Sequence, residues 1–179
     1  MNDGLIPKRY AKALYKLAVE NGDSHEIYEQ LKPLSRGLSG LGDVKRVLLN
    51  PYVPEEDKGR VMMQLVGAKP GSSLDKFLLL VIRNNRAEYL RKIALSYVNL
   101  YRENHDIAKV EIESAAELPQ EQVQAIVDIV RRQMPGTTLE VEQSIDPDLI
   151  GGFTVKVGDV LLDASIKNEL KKLRLKLLS

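Results

Sequence analysis

The 179-residue chain has no cysteine and no tryptophan, and only two histidines and two phenylalanines. Each shortage removes a class of function. Without cysteine there are no disulfide staples, thiolate metal sites or thiol nucleophiles, which fits a reducing compartment. The histidines, His25 and His105, are far apart in sequence and fall at predicted helix edges. A metal site or a serine–histidine relay would need partners brought to one of them from elsewhere, so both read as surface residues. With aromatics at 5%, the core must be built from Leu, Ile, Val and Ala. The longest apolar run, FLLLVI at 77–82, falls far short of the roughly 20 residues of a membrane span. The opening MNDGLIPKRY has an early acid and no apolar leader region. The expectation is a soluble intracellular protein.

What is present is ordinary in amount and uneven in placement. Apolar residues make up 44% and charged residues 28%, enough for one large domain or two small ones. Residues 1–105 carry 17 Lys/Arg against 12 Asp/Glu, a balance of +5. Residues 106–163 carry 4 against 12, or −8, and residues 164–179 carry 5 against 1, or +4. Outside the basic tail, signs this mixed do not make a nucleic-acid footprint.

The first hundred residues read as six short helices. IPKRYAKALYKLAVENG places Pro7 in a first turn and Asn21-Gly22 at its end. HEIYEQLKPLSRGL follows, capped by Ser24, with Pro33 expected to kink or split it. DVKRVLLN (43–50) makes a short third segment stopped by Asn50-Pro51. PEEDKGRVMMQLVG opens with Pro54 and three acids and ends at Gly67. SSLDKFLLLVIRNN, capped by Ser72 or Ser73, is apolar nearly all round and reads as a buried central helix. RAEYLRKIALSYVNLYRENH is expected to be the longest, with Leu90, Ile93, Ala94, Tyr97, Val98 and Tyr101 at helical spacing. After His105 the period changes. IAKVEIESA, TLEVEQSI, FTVKV and VLLD alternate as strands, and Gly158-Asp159 suits a two-residue hairpin turn. LPQEQVQAIVDIVRRQM and ASIKNELKKLRLKLL are helical. The fold class is α+β, mostly α: an N-terminal six-helix bundle over 1–105, then a small C-terminal α/β domain with a mixed sheet over 106–179.

Candidate chemistry is thin. GAKPGSS (67–73) lacks the G-x-x-x-x-G-K-S/T spacing of a phosphate loop and lies between two helices, whereas such a loop follows a strand. Asp146, Asp148, Asp159 and Asp163 could pair for acid–base work or Mg²⁺. Asp146-Pro147 and Gly158-Asp159 are nevertheless ordinary turn chemistry, and placement in turns is the favoured reading. Two features exceed what a core needs. The first helix carries two apolar stripes: Ile6, Tyr10, Ala13, Leu14 and Leu17, then Ala11, Tyr15, Ala18 and Val19. The last helix carries Ile166, Leu170, Leu173 and Leu177 amid Lys167, Lys171, Lys172, Arg174 and Lys176. A basic amphipathic helix can meet a membrane, a nucleic acid or an acidic partner, or can simply set an apolar face on a sheet.

One longer pattern is more specific. Asp146, Leu149, Gly151, Gly152, Phe153, Val155, Lys156, Gly158, Asp159, Asp163, Ser165, Ile166 and Leu170 together resemble the C-terminal signature of the delta subunit of F-type ATP synthases. The mitochondrial counterpart of that family is the oligomycin sensitivity conferral protein. RYAKALYKLA at 9–18, IRNNRAEYL at 82–90 and AAELP at 115–119 resemble the family's opening helix, its Asn-Gly-Arg turn and its step into the second-domain helix. Asn85 departs from a usual Gly, and Ala164 from a Gly before Ser165. The resemblance covers essentially the whole chain.

It implies a non-catalytic stator subunit without cofactor, metal or nucleic acid, present in one copy on the cytoplasmic face of the cell membrane through its complex. The helical domain would hold the N-terminal helices of alpha subunits at Tyr10, Ala11, Leu14, Tyr15, Leu79, Leu80 and Ile82. The C-terminal domain would hold the b-subunit stalk at Lys171, Lys172, Leu173, Arg174, Leu175, Leu177 and Leu178. Asp146, Gly151, Gly152, Gly158, Asp159, Asp163 and Ser165 form a structural motif: the acids shape turns, Gly151-Gly152 lets the backbone swing into a strand, Gly158-Asp159 makes a hairpin and Ser165 caps the last helix. The competing readings are a nucleic-acid module using the basic last helix, opposed by the −8 stretch beside it, and a hydrolase using the Asp146–Asp163 carboxylates.

Overall fold

A computed structural model describes residues 4–37, 46–48, 50 and 52–178, with the side chain of Leu178 outside the described part. The chain forms two compact units, 1–104 and 105–179. In the first, α1 (Leu5–Asn21) ends where Gly22 takes a left-handed φ of 73°. α2 (Ser24–Arg36) follows, then α3 (Glu55–Val66), α4 (Ser73–Arg83), a short 3-10 turn (Ala87–Tyr89) and α5 (Leu90–Asn104). Residues 46–48 are helical. The rest of the third sequence-predicted segment lies almost wholly outside the described residues, so the six-helix count is not established.

Several local expectations change. α2 runs through Pro33 to Arg36. A proline so close to the C-terminus forfeits one backbone bond, and little helix remains to be broken. Ser24 is the first helical residue rather than the cap, Asp23 takes that position, and the Ser24 carbonyl accepts a bond from the Tyr97 hydroxyl at 3.1 Å. Ser72 caps α4, accepting from the Asp75 N–H at 3.2 Å, while the Asp75 carboxylate accepts from the Gly71 N–H at 2.7 Å. α4 is not buried all round: Leu74, Phe77, Leu78, Val81 and Ile82 are inside, but Leu80 is half exposed. α1, at 17 residues, is longer than α5, at 15, because AEY is taken up by the 3-10 turn and Arg86 precedes it. Between α4 and that turn Asn85 has a φ of +53°, a left-handed conformation that asparagine tolerates better than most residues.

The core of this unit is aliphatic with a tyrosine centre. Leu14, Ile27, Leu34, Leu74, Leu78 and Ile93 are fully enclosed with Tyr28 and Tyr97. Tyr28 and Tyr101 stack at 4.2 Å, and His25 Nδ1 lies 3.1 Å from the Tyr101 hydroxyl. All six apolar positions expected on α5 are buried.

The second unit is a four-stranded mixed sheet in the order β2-β1-β3-β4. β1 (Ile107–Ser114) crosses over through α6 (Gln120–Gln133) to the parallel β2 (Thr138–Ile145). A 3-10 turn (Pro147–Leu149) leads to β3 (Gly152–Val157), antiparallel to β1, and a two-residue turn gives β4 (Val160–Ser165). Gly158 supplies the positive φ at the first turn position. α7 (Ile166–Leu178) ends the described chain. On one face Val110, Ile112 and Val155 pack with Val123, Ile126 and Val127 of α6. The alternation of β1 sends Lys109 and Glu111 to the other face, where Lys109 pairs with Glu111 and with Glu142, the latter at 2.8 Å.

Candidate functional site

The first unit carries an open groove of about 370 Å³ lined by Ile6, Arg9, Tyr10, Ala13, Phe77, Leu80 and Arg86. It lies between α1 and α4, the latter being the fifth sequence-predicted helix. The helical spacing of 6, 10 and 13 sets three side chains in line on α1, and 77 and 80 do the same on α4. Phe77 meets Tyr10 edge-on with ring centres 6.1 Å apart, and Asn84 Nδ2 donates to the Tyr10 hydroxyl at 3.2 Å. These contacts fix the floor of the groove and leave its mouth open.

Of the seven residues assigned from the resemblance to head binding, only Tyr10 and Leu80 line this groove. Ala11, Leu14 and Ile82 are buried in the bundle, so they support the surface from beneath. The line on α1 that packs inward is Pro7, Ala11, Leu14 and Ala18, which draws from both sequence stripes. Tyr15 is half-buried and turns its ring edge to Tyr97 and Tyr101 of α5. Leu79 points toward α3, its Cδ2 only 3.1 Å from where a Cβ on Gly59 would stand. Sequence reasoning placed Ile6 and Ala13 on an apolar stripe without assigning them to the site, and it missed Arg9, Phe77 and Arg86. The usable signal was the i, i+4, i+7 series through Ile6.

The second unit leaves more apolar surface open. Among its described side chains, 166–177, α7 has no buried residue. Ile166, Leu170, Leu173, Leu175 and Leu177 are all about half exposed or more, reaching 86% at Leu177. Lys171, Lys172 and Arg174 are exposed beside them. β4 is an edge strand whose Val160, Leu161 and Leu162 all exceed half exposure, although edges are usually blunted with charge or proline. Between β4 and α6 runs an apolar groove of about 760 Å³ whose lining includes Ile129, Val130, Val157, Val160 and Leu162. Sequence reasoning did not find this groove, because it depends on one helix covering only the middle of the sheet.

Asp146, Gly151, Gly158 and Asp159 lie in turns, whereas Gly152 opens β3 and Asp163 and Ser165 stand at the end of β4. Asp146 accepts from the Asp148 N–H at 3.0 Å, and Gly158-Asp159 closes the β3–β4 hairpin. Asp163 Oδ1 accepts from the Ser165 hydroxyl at 2.6 Å and from its N–H at 3.0 Å, while Ser165 Oγ caps α7 by accepting from the Asn168 N–H at 3.2 Å. The Ser165 hydroxyl, and then its backbone N–H, hold the Asp163 carboxyl below the usual carboxylate range. Because the folded value is the lower one, this contribution is complete above the unfolded carboxyl's pKa of about 3.9 and is lost as pH falls through the folded value. Asp163→Asn is expected to remove that part of the acid dependence of β4–α7 protection. Amide exchange across an acid titration checks it, and identical acid limbs in variant and parent would contradict it.

The fold thus defines a class: a helical unit and a small mixed-sheet unit, each with an apolar surface left uncovered. No helix among the described residues is long and apolar enough to cross a membrane. The family description ATP synthase delta (OSCP) subunit matches residues 6–177. The ATP synthase subunit delta of Desulforudis audaxviator is 34% identical over 174 residues, covering 97% of this chain and 95% of that protein. That of Prochlorococcus marinus is 35% identical over 172 residues, covering 94% and 93%. A chain in the cryo-EM structure of the Toxoplasma gondii mitochondrial ATP synthase hexamer shares the fold, with a TM-score of 0.73 at 21% identity over 97% of both chains. The chain belongs to the ATP synthase delta (OSCP) subunit family.

Proposed function

We propose that this protein is a non-catalytic stator subunit of an F-type ATP synthase, peripheral to the membrane and present in one copy. Its helical unit holds N-terminal helices of the alpha subunits, and its C-terminal unit holds the ends of the b-subunit stalk. The two attachments keep the catalytic head from turning with the rotor, so that proton-driven torque is converted into ATP. The task asks for durable binding rather than proton transfer, and the chain supplies uncovered apolar surface in both units. The observation that carries the head attachment is the α1–α4 groove, whose open floor of Ile6, Tyr10, Ala13, Phe77 and Leu80 suits the apolar face of an amphipathic helix.

The test is titration of the protein with a peptide of the alpha subunit's N-terminal helix, followed by amide chemical shifts. Shifts should centre on Ile6–Ala13 and Phe77–Leu80. Leu80→Lys should weaken binding by about 30-fold, the scale of a lost interface anchor, while leaving the fold intact because Leu80 is 50% exposed. Shifts confined to other surfaces would refute the groove assignment. Purification of the protein from its own cells without head or stalk subunits would refute the stator reading.

A further inference from the structure

The groove between α1 and α4 is flanked by charge of one sign. Among the described residues, Arg9 and Arg86 are its only charged lining residues, and no carboxylate lines it. Among the described residues, neither guanidinium has an ion-pair or hydrogen-bond partner for its side chain. On the same helix Lys8, Lys12 and Lys16 are also exposed. The only acid of α1 is Glu20, near the opposite end, and its first turn contains none. Cations near a helix N-terminus oppose the helix dipole. Their placement on α1 therefore does not serve the helix itself, and a partner's negative charge would offset it.

We propose that Arg9 and Arg86 select the occupant of this groove, receiving carboxylates from an amphipathic helix whose apolar face seats on Ile6, Tyr10, Ala13, Phe77 and Leu80. This deepens the head-attachment reading and rests on it. The apolar floor supplies affinity, and the two guanidiniums set which helices enter and in which register. Arginine suits the role because its planar fork takes a carboxylate in two parallel bonds. Being rim charges, the pair acts mainly through discrimination and association rate, and its effect falls with salt.

The experiment uses the full chain and four synthetic helical peptides of about 20 residues, three described next and a fourth with the leucine stripe flanked by Lys, read by fluorescence anisotropy. The first carries a leucine stripe flanked by Glu, the second has the same stripe flanked by Gln, and the third keeps the Glu but has Ser in place of the stripe. The Glu peptide should bind about tenfold tighter than the Gln peptide at low salt, as two exposed charge pairs allow, and the gap should close as salt rises. Arg9→Gln with Arg86→Gln should abolish the preference. Arg9→Glu with Arg86→Glu should transfer it to a Lys-flanked peptide, which shows that the fold survives. Equal binding of Glu and Gln peptides to the parent protein overturns the proposal. So does binding of the Ser-striped peptide as tight as that of the Leu-striped one, because charge alone would then suffice. The alpha-subunit peptide, titrated in parallel, separates the two ideas: if it binds the groove while the Glu preference is absent, only the arginine assignment fails. If it does not bind, the head-attachment reading fails whatever the synthetic peptides do.

Discussion

Gly152→Ala is expected to strip the C-terminal unit of much of its stability and leave that of the helical unit unchanged. Gly152 has a φ of +74°, and a Cβ built on it would lie 2.2 Å from the carbonyl oxygen of Ala164. That oxygen belongs to the backbone of the neighbouring strand, where Gly152 is paired with Ser165 and Phe153 with Ala164. It cannot swing away as a side chain would. Relief requires parting β3 from β4 at the point where Ser165 also caps α7. The left-handed backbone alone costs a residue with a Cβ about 1–3 kcal/mol, and the forced separation brings the expected total to about 3–5 kcal/mol. A unit of about 75 residues has on the order of 4–11 kcal/mol to lose.

The aromatic content makes this measurable. All seven tyrosines lie in residues 1–104, and the C-terminal unit holds none. Near-ultraviolet tyrosine signals should therefore melt as in the parent protein, while amide protection in β3 and β4 collapses. Gly151→Ala is the control. Its Cβ would meet Ile166 Cδ1 at 2.5 Å, the far end of a flexible side chain, and Gly151 does not have a positive φ. About 1 kcal/mol is expected there. Parent-like protection in Gly152→Ala would mean that the β3–β4 junction tolerates a side chain, against the geometry described.

The same glycine shows which parts of this molecule are legible from sequence. The Gly-Gly step, the Gly158-Asp159 turn and the Ser165 cap could be read because each depends on backbone conformations that few residues adopt or on bonds a few residues long. The buried face of α5 was legible for a related reason: one periodic stripe had one place to go. α1 was not, because two stripes were present and only packing decides which turns inward. Ala11 and Leu14 went to the core, and Ile6, Tyr10 and Ala13 to the groove. Leu79 and Leu80 are adjacent on a helix that is apolar nearly all round, yet one faces α3 and the other the groove. Arg9 and Arg86 are far apart in sequence, and only tertiary structure brings both to one groove. The groove beside β4 has no local signature, since it is the space that α6 does not cover.

Replacing Leu170, Leu173 and Leu177 together by Gln is expected to leave the protein's stability nearly unchanged and to abolish stalk binding. α7 is 13 residues long and buries none of its described side chains, 166–177. Helices of that length are marginal by themselves, and the start of this one is held by the Ser165 cap, by the neighbouring Asp163 and Asn168, and by the Ile166 N–H donating to the Gly151 carbonyl at 2.9 Å. Its three stripe leucines are each more than half exposed, so the folded chain gains little from them. Gln has almost the helix propensity of Leu, which keeps the helix no less favourable than before. A stability change within about 0.5 kcal/mol follows. The stalk, in contrast, would lose three apolar anchors on one face, and at roughly 1–2 kcal/mol each the affinity should fall at least a hundredfold. Calorimetric titration of the full chain with a soluble fragment of the b subunit measures this. Lys171→Gln with Lys172→Gln should instead reduce the salt dependence with a smaller loss of affinity. If the triple variant bound the fragment as tightly as the parent does, the last helix would not be the stalk site. The groove lined by Ile129, Val160 and Leu162 would then be the surface to alter next.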